Sequence, residues 1–130
     1  MAEMMKLQRG DAVPHIRVTT VSGELFSYAT VWQRRNVLLA VLGTSPADDK
    51  YATALSAGAS EFGNVDTECV VTRNDVPGLT APGVLIADKW GEIVCVVEAS
   101  DSADLPGVED LLEWAEYVRR RCPECEGEVY

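Results

Sequence analysis

The chain has 130 residues, 47% of them hydrophobic and 25% charged, a composition that fits one globular domain with its own core. Its 21 acidic side chains outnumber 11 basic ones, for a net charge of −10, which repels phosphates and excludes nucleic acid and anionic membrane as partners. No apolar run is long enough to span a bilayer, and the opening MAEMMKLQRGD lacks the apolar centre of a secretory signal, so the expected location is the cytoplasm.

Residues 10–27, GDAVPHIRVTTVSGELFS, alternate around a Ser-Gly turn and predict two short strands in a hairpin. A short helical segment over 28–34 leads into residues 36–42, whose unbroken Val, Leu and Ala content predicts a central strand buried on both faces. The next helix has clear start signals. Ser45 can cap it, Pro46 suits its first turn, and Asp48 and Asp49 complement the positive end of its dipole. Tyr51, Leu55, Ala59 and Phe62 then fall on one face at helical spacing, with Gly58 as a weak point.

Residues 67–72, TECVVT, predict a second buried strand. A loop with two prolines follows, then a strand over 84–87, a tight turn at 88–91 and a return strand over 92–97. Pro82 stands just before the first of these strands, where a cis X-Pro bond gives a sharp entry. Residues 107–121 predict a closing amphipathic helix with Val108, Leu111, Leu112, Ala115 and Val118 on its apolar stripe. The domain therefore spans residues 1–121, and 122–130 form a short polar tail.

In this order and spacing, GDAVPHIRVTTVSGELFSYATVWQRRNVLLAVL and APGVLIADKWGEIV resemble the opening and later segments of peroxiredoxin-like proteins, the alkyl hydroperoxide reductase and thiol-specific antioxidant group. The resemblance covers residues 8 to about 120. It implies an α/β, thioredoxin-like fold with a central mixed β-sheet, flanking helices and an N-terminal β-hairpin. In that family a cysteine at the start of the helix after the first central strand does the chemistry, and thioredoxins place a C-x-x-C pair there. The corresponding stretch here, GTSPADDK, contains no cysteine.

The residues of that stretch read as structural. Ser45 is a helix cap rather than a nucleophile, because the one histidine, His15, is distant on the N-terminal hairpin. Asp48 and Asp49 are first-turn acids that point in different directions and do not converge on a substrate. A small-molecule pocket between this turn and Pro82 is the geometric alternative, with Pro82 in a structural role.

Of the four cysteines, Cys69 and Cys95 fall in core strands, where a thiol behaves as a small hydrophobe. Cys122 and Cys125 form a C-x-x-C pair in the tail. Three readings stay open for it, in this order: a redox pair acting with a partner protein, half of a zinc site completed by a second chain in a homodimer, or a tail without a fixed role. The expectation is a divergent redoxin without the peroxidatic cysteine, acting through Cys122 and Cys125 with no cofactor. Its rival is a non-enzymatic binding or scaffold protein.

Overall fold

The computed structural model of the chain describes residues 6–120. The elements in order are β1 (Arg17–Thr19), β2 (Leu25–Ser27), β3 (Asn36–Val41), α1 (Pro46–Ala57), α2 (Ala59–Asn64), β4 (Thr67–Thr72), β5 (Gly83–Ala87), β6 (Ile93–Glu98) and α3 (Val108–Arg120). Single 3-10 turns stand at Tyr28–Thr30 and Ser102–Asp104.

Strands β4, β3, β5 and β6 lie side by side in that order, with β4 parallel to β3 and the other two neighbours antiparallel. β1 and β2 form the separate hairpin expected from the Ser-Gly turn. Every residue of β3 is buried, because the alternation of a strand feeds two cores. Leu38 and Ala40 face the helices and pack with Leu55, Phe62, Leu111 and Ala115. Val37, Leu39 and Val41 face the other way and pack with Val18, Tyr28, Val31 and Leu79. All three helices thus cover one face of the sheet, while the hairpin, the Tyr28–Thr30 turn and the loop before β5 cover the other.

Two sequence expectations change. The long helix breaks at Gly58, whose N–H reaches carbonyls of Ala54, Leu55 and Ser56, and α2 starts at Ala59. Ala59, expected on the buried face, is exposed for that reason, while Phe62 is fully buried. The helical segment expected over 28–34 shortens to the Tyr28–Thr30 turn. The Ala81–Pro82 bond is cis, as its place before β5 predicts. The turn at 88–91 needs Gly91, whose φ of +90° favours glycine and where an added Cβ would lie 3.2 Å from the Tyr28 hydroxyl.

Candidate functional site

The mouth of the sheet lies where β3 ends and α1 begins. The register sets Val41 opposite Gly83, so the turn after β3 and the segment entering β5 stand at the same end of the sheet, as expected. Ser45 is the N-cap of α1. Its Oγ accepts the Asp48 N–H at 3.1 Å, and the Asp48 carboxylate in return accepts the Ser45 N–H at 3.1 Å, a reciprocal capping box.

Asp48 does more than cap. It is buried, and its second carboxylate oxygen accepts the hydroxyl of buried Ser102, 54 residues further along the chain. The Ser102 hydrogen bond, with those from Ser45, outweighs burial and holds the Asp48 carboxyl below its ordinary value. Asp49 points away and pairs with Arg73 at 2.8 Å, and Arg73 also donates to the Gly43 carbonyl. Adjacent first-turn acids therefore have separate jobs, one sealing the helix end and the other pinning the β4–β5 loop.

A Cβ added at Gly43 would lie 2.8 Å from the Asp48 Oδ2, so the carboxylate already fills the concavity beside the turn. The site has an i, i+3 pair at a helix N-terminus, the spacing of a C-x-x-C motif, with a hydroxyl and a carboxylate in place of two thiols. A carboxylate already stands at the helix end and accepts the Ser45 N–H, so the arrangement favours stability over nucleophilic chemistry.

The two described cysteines have raised thiols. Burial pushes the Cys69 thiol up to about 12, with Glu68 adding to it, and burial also raises Cys95 against the opposing charge of Arg9. His15 is exposed and stacks edge-on against Tyr28 and Trp32 at centroid distances of 5.4 and 5.1 Å. Among the described residues no group of three or more His, Cys, Asp or Glu side chains is placed to hold a metal ion. The C-x-x-C pair, Cys122 and Cys125, lies outside the described residues.

The grooves are elsewhere, the largest of them, about 640 Å³, lying along β6 and lined by Lys6, Arg9, Cys95, Val96, Glu98 and Trp114. One of about 580 Å³ runs along α3, lined by Arg9, Pro106, Asp110, Glu113, Trp114 and Tyr117. Another, of about 460 Å³, lies between the hairpin and the outer edge of β4. Sequence reasoning missed Ser102, because nothing in SDSAD marks a partner for a carboxylate 54 residues earlier. Asp48 itself was legible only as a dipole acid.

No protein-family model matches the sequence, and no curated protein matches it. Solved structures do match the fold. A reduced 2-Cys peroxiredoxin of Plasmodium vivax superposes with a TM-score of 0.67 at 9% identity, covering 85% of this chain and 81% of that one. The thioredoxin domain of a thiol-disulfide oxidoreductase from Bacteroides vulgatus gives 0.59 at 16% identity, over 86% of this chain and 98% of that one. A peroxiredoxin-like protein from Aquifex aeolicus gives 0.55 at 12% identity, over 87% and 88%. The fold is therefore thioredoxin-like.

Proposed function

We propose that this thioredoxin-fold chain works in thiol–disulfide exchange, with Cys122 and Cys125 as the reacting pair. The observation that supports the reading is the Asp48 carboxylate, fixed by Ser45 and Ser102 at the helix end where related folds carry their thiol. With Cys69 and Cys95 held protonated, the tail pair is left to supply a thiolate. One tail thiolate attacks a disulfide of a cytoplasmic partner protein and forms a mixed disulfide. The second thiolate then displaces the partner's thiol. The partner gains two electrons and two protons as its disulfide becomes a dithiol, and Cys122 and Cys125 give them up as they join.

A second reading, a binding or scaffold module without catalysis, is favoured by the same carboxylate at the start of α1. In that reading a homodimer shares zinc through the two C-x-x-C pairs. Intact mass spectrometry of unreduced protein separates the two. A denatured chain about two mass units light, restored by reductant and mapped to Cys122–Cys125, supports exchange. A native dimer with chelator-removable zinc supports the clasp. In a glutathione-disulfide reduction assay, the Cys122→Ser/Cys125→Ser chain is expected to lose all turnover; unchanged turnover would refute the exchange reading.

A further inference from the structure

The two edges of the main sheet are finished differently. Along β6 the N-terminal segment bonds at both ends: Gly10 and Asp11 exchange hydrogen bonds with Ile93, and Lys6 pairs with Glu98 at 2.9 Å. Along β4 the covering contacts stand at the two ends only: the Val21 N–H donates to the Val71 carbonyl at 2.9 Å, and the Arg35 guanidinium donates to the Thr67 carbonyl at 3.4 Å. Carbonyls of Asp66 and Thr72 accept from Asn36 and Leu42, so the even-numbered residues of this strand turn their backbone groups toward β3. By alternation the Cys69 N–H and C=O, and the Val71 N–H, turn outward. No backbone group among the described residues pairs with them.

This outer edge is the floor of the 460 Å³ slot. One wall is the hairpin, with Val21, Leu25 and Phe26. Leu25 is 73% exposed, the highest value among the exposed large hydrophobic side chains of the described residues. The other wall is the small-residue junction of α1 and α2, Ser56 and Ala59. The ionisable carboxylates of the slot are Glu24 and Glu68, with no basic side chain lining it. Glu68 already pairs with Arg35 at 2.8 Å, while Glu24 has no ion pair among the described residues.

We infer that the β4 edge is a docking site for an extended peptide segment of another protein, added as a further strand and carrying alternating apolar and basic side chains. Exposed edge groups supply the backbone bonds, Leu25 and Phe26 supply the apolar contact, and Glu24 selects positive charge. A net charge of −10 and the acids of the slot disfavour a second copy of this chain there. The tail is disfavoured in the same way, since Glu124, Glu126 and Glu128 give it an acidic character.

The test uses the full chain, isotope-labelled for amide NMR, and a capped eight-residue peptide alternating Lys and Val. The expected result is saturable shifts and slowed hydrogen exchange centred on Cys69 and Val71. A Glu–Val peptide or a Lys–Val peptide N-methylated at alternate residues should leave both amides unmoved. Glu24→Lys, an exposed hairpin change, should weaken binding about fivefold, the effect of one surface charge pair. Shifts centred on β6 or α3, or equal binding of the N-methylated peptide, would overturn the proposal. So would Cys69 amide protection in the free protein, whether concentration-dependent (a second copy) or not (the tail).

Discussion

Replacing Asp48 with Asn isolates the charge at the mouth from its shape. The amide is near-isosteric; its oxygen can still accept the Ser45 N–H and its NH2 can donate to the Ser102 oxygen, so no cavity is created, although the buried Ser102 O–H loses the carboxylate it donated to. What is lost is the difference between charge-assisted and neutral hydrogen bonds, about 1 kcal/mol, together with the helix-end interaction of about 0.3–1 kcal/mol. Stability at pH 7 should therefore fall by about 1–2 kcal/mol, a drop of roughly 0.5–1 M in the urea midpoint. The pH dependence carries the stronger test. The folded Asp48 carboxyl sits below its ordinary value of 3.8, so its stabilisation is complete above that value and is lost as pH falls through the folded one. The gap between wild type and Asp48→Asn should hold from pH 7 to about 5 and shrink as pH drops toward 3 and below. Urea titrations followed by circular dichroism at stepped pH measure it. A gap that is the same at pH 7 and at pH 2.5, or absent at pH 7, would show that the carboxylate charge contributes nothing at this helix end.

Other consequences are open to equally direct measurement. Gly43→Ala presses a methyl group against the pinned Asp48 carboxylate and should cost about 1–3 kcal/mol in urea unfolding; the penalty should largely disappear in an Asp48→Ala background. Phe62→Ala empties a fully buried position between α2 and the sheet and should cost about 3–5 kcal/mol, against less than about 0.5 kcal/mol for Ala59→Ser on the exposed side of the same short helix. Iodoacetamide at pH 8 should leave Cys69 unmodified in folded protein and alkylate it in urea, as peptide mapping by mass spectrometry will report; rapid labelling in the native state would contradict a thiol raised to about 12.

Much of the layout was legible because the signals were local. Val37 to Val41 form an uninterrupted apolar run, and only a strand buried on both faces needs one. Ser45, Pro46 and the two aspartates mark a helix start within five residues, and Pro82 marks an entry into a strand. The break at Gly58 was harder to place. Gly58 lies tightly under α3, with a hypothetical Cβ 3.1 Å from Val108, so its role depends on an element fifty residues away. The partnership of Asp48 and Ser102 was invisible for the same reason: the α1 N-terminus and the Ser102–Asp104 turn meet only once the sheet has brought them together. The outward-facing backbone of Cys69 likewise follows from which strand ended up at the edge, and strand order is not written in any one segment.

The carboxylate of Asp48 also sets the terms on which anything else could use the helix end. A free anion arriving from solution competes with one that is tethered a single turn away and already bonded to the Ser45 N–H. Such tethering corresponds to an effective concentration on the order of millimolar at the least, and higher where the geometry is as tightly held as it is by Ser45 and Ser102. Soluble carboxylates and phosphates at micromolar levels do not reach that threshold. The α1 N-terminus is an anion site whose occupant is encoded in the chain, saturated from the moment the domain folds.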